Sequence, residues 1–129
     1  MRDDTRDALV GHLSDYDSVV EIGIGHRVEV AEALARTGVR VTATDIRPRA
    51  TPVDIEFVLD DVTVPDTSLY ADADAIYALN FPPELHEPAL DLAREVDAEF
   101  LFTTLGADPP AVRVRRETIP GDTLFVASV

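Results

Sequence analysis

The sequence predicts an α/β domain: an open, mostly parallel, doubly wound sheet of about five parallel strands, closed by a C-terminal antiparallel hairpin. Three observations predict it. Short apolar strands alternate with amphipathic helical stretches through residues 18–105. The first strand, Val19-Val20-Glu21-Ile22, runs into the turn Gly23-Ile24-Gly25-His26, and a second strand follows that ends on Asp45. After Leu105 the chain is too short for another crossover helix, and Pro120-Gly121-Asp122 marks a turn between two strands.

The elements follow in order. Asp3 and Asp4 open a helix near 3–14, where acids suit the positive end of the helix dipole, and Leu9, Val10 and Leu13 give it an apolar face. The first strand is 18–22. Val28, Ala31, Leu34 and Ala35 recur at helical spacing, Glu32 and Arg36 form an i,i+4 pair, and Gly38 ends the helix at about 37. Val39, Val41 and Ala43 alternate along the second strand. A loop with Pro48 and Pro52 leads to the third strand, 55–59, which ends at Asp60-Asp61. A short turn or helix near 66–71 precedes the fourth strand, 75–79, and its end at Asn80-Phe81-Pro82-Pro83. Leu85, Ala89, Leu92 and Val96 mark another amphipathic helix, its main body starting near Pro88, and the fifth strand is 100–105. Val112 and Val114 alternate with Arg113 and Arg115, and 123–129 is the returning strand of the hairpin.

A chain of 129 residues has room for one domain, 1–129, and none for a separate substrate domain. No apolar run reaches bilayer length and the first residues lack an apolar signal core, so a cytoplasmic protein without a membrane partner is expected. The absence of cysteine excludes disulfides, thiolate metal sites and a cysteine nucleophile. His12, His26 and His86 lack metal-ligand spacing, so no metal site is expected. Eleven arginines face 25 acids, a net charge of −14, and lysine is absent. An acidic surface for a basic partner is one reading. The acids are scattered rather than massed in a tail, which favours the other, a halophilic protein in which salt screens self-repulsion.

Strand ends carry the candidate site, because open parallel sheets bind ligands at their carboxyl edge. Gly23 allows a tight turn and Gly25 lets backbone approach a ligand, while Asp45 is placed to take the two hydroxyls of a ribose. Glu21, Asp60 and Asp61 converge on the same edge, and Asn80 ends the fourth strand there. A third glycine is missing: Arg27 and Val28 occupy its candidate positions. Arg27, Arg47 and Arg49 fall in two loops at this edge and point to an anion, a phosphate on substrate or cofactor, with pairing to nearby acids as the competing reading. Arg47, just past Asp45, also stands where a nicotinamide dinucleotide phosphate would be read. Arg113, Arg115 and Arg116 suit an exposed hairpin face or contact with RNA.

The acid-x-Gly-x-Gly segment after an apolar strand resembles the first motif of class I S-adenosylmethionine-dependent methyltransferases. That resemblance spans residues 18–104. It implies a Rossmann-like fold, S-adenosylmethionine as cofactor, Glu21 at the methionine ammonium, Asp45 at the ribose, Asp61 or Asp60 at the adenine amino group, and Asn80 orienting a methyl acceptor. Asn80-Phe81-Pro82-Pro83 is similar to the Asn-Pro-Pro-aromatic motif of amino-group methyltransferases, with Phe81 inserted. Over nearly its full length the chain is similar to a compact archaeal family, uncharacterised protein family 0146, which implies the fold and no particular reaction. An NAD(P)-binding protein is the alternative that Arg27 and Arg47 favour and Glu21 opposes. A non-catalytic binding or scaffold module is the other, favoured by the short chain and the altered fourth motif.

Overall fold

The computed structural model describes residues 1–128. Helix α1 (Asp3–Leu13) leads into β1 (Ser18–Ile22), α2 (Glu29–Arg36), β2 (Arg40–Asp45) and β3 (Glu56–Leu59). A 3-10 turn (Thr67–Tyr70) precedes β4 (Ala75–Ala78), a second (Pro83–Leu85) precedes α3 (His86–Val96), and β5 (Glu99–Phe102), β6 (Val114–Ile119) and β7 (Asp122–Ala127) complete the sheet. The strand order is β3-β2-β1-β4-β5-β7-β6. β1 to β5 run parallel, and β7 enters antiparallel between β5 and β6. Five parallel strands and an antiparallel hairpin are what the alternation and the turn chemistry predict.

Burial on both faces explains the apolar strands. β1 and β4 are buried at every residue, as parallel strands flanked by helices must be. On one face Leu9 and Leu13 of α1 and Val30, Ala31 and Leu34 of α2 pack on Val19, Val41 and Leu101. On the other, Ala89, Leu92 and Ala93 of α3 and Tyr70 pack on Val20, Ile76, Phe100 and Phe102. Each helix buries an apolar stripe whose removal from water contributes about 25 cal/mol per Å². No helix among the described residues is long and apolar enough to cross a membrane.

Several boundaries differ from the sequence expectation, two of them for identifiable reasons. β5 stops at Phe102 rather than 105, because the next residues turn to the loop after β4: Thr103 N–H donates to the Ala78 carbonyl at 3.0 Å and Phe81 N–H to the Thr103 carbonyl at 2.8 Å. Helix α3 starts at His86, since the 3-10 turn begun at Pro83 feeds directly into it, leaving Pro88 in its first turn, where a missing N–H costs nothing. Strand β6 begins at Val114 rather than Val112. β7 ends at Ala127, and Val129, which the sequence places in the returning strand, lies outside the described residues.

Candidate functional site

The strand order reverses between β1 and β4, and the cleft opens at the carboxyl ends of these two strands. Gly23 N–H and Ile24 N–H both donate to the Thr44 carbonyl, at 2.9 and 3.1 Å, folding the turn over the end of β2. Gly23 and Gly25 have φ of +71° and +57°, the left-handed region that a side chain disfavours. A Cβ at either would meet no atom within 4 Å, so it is the conformation that demands glycine, and the space above the turn stays open. Neither Arg27 nor Val28 is in that region, and Val28 caps α2 with φ −109°. The turn therefore has no conformational need for a third glycine.

Two hollows meet across this turn. The first, about 320 Å³, is lined by Asp45, Ile46, Asp60, Asp61 and Val62 among others. The second, about 240 Å³, is lined by Glu21, Gly25, His26, Arg27 and Leu105 among others. Gly23, Leu79 and Asn80 line both, so the two hollows adjoin at the ends of β1 and β4. Ile46 is 66% exposed and leaves a large apolar side chain at the edge of the first hollow. Exposed Ile46 and buried Val62 line this hollow together with Asp45, Asp60 and Asp61, so apolar and acidic side chains share its wall.

Asp45 is held in place by backbone. Its Oδ2 accepts from Gly25 N–H at 2.9 Å and its Oδ1 from Arg47 N–H at 3.0 Å. The Arg49 guanidinium lies 3.3 Å from Oδ2. Burial alone would push this carboxyl up, but the Arg47 and Gly25 amides, then Arg49, outweigh it and hold the group below its ordinary range. Arg49 Nη1 also donates to His26 Nε2 at 3.1 Å, bridging the glycine turn to the β2–β3 loop, while its buried Nε makes no hydrogen bond. His26 thus serves as acceptor for Arg49, and α2 begins without a side-chain cap. Arg27 and Arg47 are exposed and form no ion pair among the described residues.

Asp60 and Asp61, equivalent by sequence, are separated by geometry. Asp60 accepts from the Tyr70 hydroxyl at 2.5 Å and from Asp66 N–H at 3.1 Å, which braces the following loop. Exposed Asp61 accepts from the hydroxyl of Thr63 at 2.7 Å and from its N–H at 2.9 Å, and both bonds lower its pKa. Both acids line the first hollow.

Glu21 is the opposite case to Asp45. It is 2% exposed and sits in direct register with Tyr77 of β4, whose hydroxyl donates to Oε1 at 2.6 Å. Burial pushes its carboxyl up to about 8; the Tyr77 bond opposes this and Glu29 adds to it. At neutral pH this acid is mostly protonated.

Asn80 adopts φ +49°, and its N–H donates to Thr103 Oγ1 at 2.9 Å. The inserted Phe81 turns inward, 3% exposed, and packs on Phe100 and on His86. His86, wholly buried, was not identifiable as important from sequence. Its Nδ1 accepts from Ala111 N–H at 3.0 Å, which fixes the proton on Nε2, and Nε2 donates to the Phe81 carbonyl at 2.9 Å. The imidazole ties the loop after β4 to the segment before β6. Its contact to a residue 25 positions away carries no periodic signal.

This architecture, with one antiparallel strand inserted beside a five-stranded parallel sheet, defines the class: a Rossmann-like, methyltransferase-type fold. Solved structures support the assignment at the level of fold. An RNA methyltransferase from Salinibacter ruber in complex with S-adenosyl-L-homocysteine superposes with TM-score 0.69 and 17% identity, over 98% of this chain and 91% of that one. A TehB-like SAM-dependent methyltransferase from Corynebacterium glutamicum gives 0.64 and 16%, over 97% and 86%. The chain itself belongs to Uncharacterised protein family UPF0146, whose pattern matches residues 7–128. A UPF0146 protein of Halobacterium salinarum is 48% identical over 116 residues, 89% of this chain and 90% of that one. Another from Archaeoglobus fulgidus is 43% identical over 96 residues, 74% of each.

Proposed function

We propose that this protein binds S-adenosylmethionine across the two hollows and presents its methyl group beside Asn80. The observation that carries the reading is the adjoining pair of hollows over Gly23, with an ionised carboxylate at one and a buried carboxyl in the wall of the other. In this reading Gly23 and Gly25 admit the ligand, Asp45 accepts the ribose hydroxyls, and Ile46 and Val62 flank the adenine. Asp61, exposed on the rim, takes the adenine amino group, while Asp60 braces the loop that carries it. Glu21 meets the amino-acid end.

The cofactor supplies a sulfonium methyl that is already reactive, so the protein's contribution to transfer is positioning. Asn80 lies where the hollows join and orients the acceptor. Arg27, on the rim of the second hollow, and Arg47 favour an anionic acceptor, a phosphate-bearing molecule or RNA. The Phe81 carbonyl is committed to His86. The loop therefore offers a target amine fewer acceptors than the amino-group motif does, which favours a non-amine acceptor or a module that binds cofactor without turnover.

Calorimetry in multimolar salt tests the reading with S-adenosylmethionine, S-adenosylhomocysteine and NADP. Saturable binding of the two S-adenosyl ligands is expected. Binding of NADP alone would replace this reading with the dinucleotide one, for which Arg47 beside Asp45 is the supporting observation.

A further inference from the structure

Glu21 is a buried carboxyl whose neighbourhood supplies no cation. Tyr77 faces it from β4 in direct register; Ala43 is its partner on β2; Glu29 acts on it from the start of α2. His26 and Arg27 come from the turn to line the same hollow, yet no arginine among the described residues forms an ion pair with Glu21. Beyond Tyr77 the row continues into apolar Leu101. Ionising an isolated carboxyl in such a place carries a desolvation cost of several kcal/mol, so the empty site favours the neutral acid. One donor, the Tyr77 hydroxyl, already serves Oε1. A ligand cation arriving in the hollow would supply the missing countercharge, and Tyr77 would then stabilise the carboxylate that forms.

We propose that Glu21 and Tyr77 together select ligands with a free ammonium group, the Glu21 carboxyl releasing its proton to solvent as the ammonium docks. The inference rests on the cofactor reading above and adds to it a proton balance and a specificity residue, Tyr77. The ammonium keeps all three of its protons; the one that leaves is the carboxylic proton of Glu21, and no covalent bond to the ligand changes. Selection follows because an adenosine ligand lacking the amino-acid end leaves Glu21 neutral and gains nothing from it.

The experiment is calorimetry at pH 7 in two buffers of different ionisation enthalpy, both in high salt. The ligands are S-adenosylhomocysteine and 5′-methylthioadenosine, which keeps the nucleoside and lacks the amino acid. Close to one proton released per site is expected with the first and none with the second. Glu21→Gln should bind S-adenosylhomocysteine about tenfold more weakly and without the release. Tyr77→Phe should keep the release and also lose about tenfold in affinity, because the carboxylate loses its donor. The wild-type proton count needs no variant to fold. Binding of S-adenosylhomocysteine with no proton released, or with equal release by wild type and Glu21→Gln, overturns the inference and leaves the cofactor reading standing. Failure of both nucleosides to bind overturns the two together.

Discussion

The two hollows place two acids in opposite states. Asp45 and Glu21 are both nearly inaccessible, at 7% and 2% exposure, and both lie on strands beside the same glycine turn. Asp45 receives two amide N–H groups and a guanidinium and stays ionised; Glu21 receives one phenol hydroxyl and stays mostly protonated at neutral pH. Burial is common to the two, so partners decide the difference. A permanently charged carboxylate suits hydroxyl donors such as those of a ribose. A neutral acid with no countercharge suits a cation that arrives with the ligand.

The largest expected effect breaks the Asp45 side alone. Asp45→Ala removes a charged acceptor and leaves the Gly25 amide without its partner, and S-adenosylhomocysteine affinity should fall about 100-fold in calorimetry. Any ligand that still binds should retain its proton release, since Glu21 is untouched. Next in size is the loop that borders both hollows. His86→Leu leaves the Phe81 carbonyl and Ala111 amide unpaired and should cost about 2 kcal/mol in chemical denaturation, without favouring either half of the cleft.

The Glu21 side responds to pH. A carboxyl whose native pKa is about 8 against an ordinary 4.5 binds more protons folded than unfolded between those values. Its contribution to stability is full below pH 4.5 and is lost as pH rises through 8. Glu21→Gln removes that loss. Its melting temperature should therefore gain on wild type by roughly 5 °C or more between pH 5 and 8, levelling off above. Asp45 has the opposite sign, its stabilisation being lost only as pH falls through its lowered pKa. The smallest effect is expected at Arg49, which occupies the Asp45 Oδ2 that the proposed ribose would need. Arg49→Gln should raise S-adenosylhomocysteine affinity by about twofold to fivefold, the scale of a partly screened ion pair.

Much of the fold was legible because each layer repeats one signal. Apolar strands such as Val19–Ile22 and Ala75–Ala78 can only be buried on both faces, and Pro120-Gly121-Asp122 sets the return of β7. Gly23, Gly25, Asp45 and Glu21 were legible as site candidates because strand, turn and strand bring them to one edge at fixed spacing. Tyr77 and His86 were not. Tyr77 reaches Glu21 through the β1–β4 register, and β4 pairs beside β1 only because the sheet order reverses there. His86 serves a carbonyl and an amide, groups every residue possesses, so nothing in its neighbours' identities announces the bond. The Arg49 bridge to His26 was half visible: the two loops meet as the topology implies, yet Arg49 is engaged by Asp45, and exposed Arg27 and Arg47 form no ion pair among the described residues.

The central claim is that a single S-adenosyl ligand spans both hollows. A crystal structure of the protein grown in high salt with S-adenosylhomocysteine tests it most directly. The account predicts adenine between Ile46 and Val62, ribose hydroxyls on Asp45, and the ligand ammonium over Glu21. A nucleotide seated elsewhere, or lying in the first hollow with its amino-acid end directed away from Glu21, would contradict it.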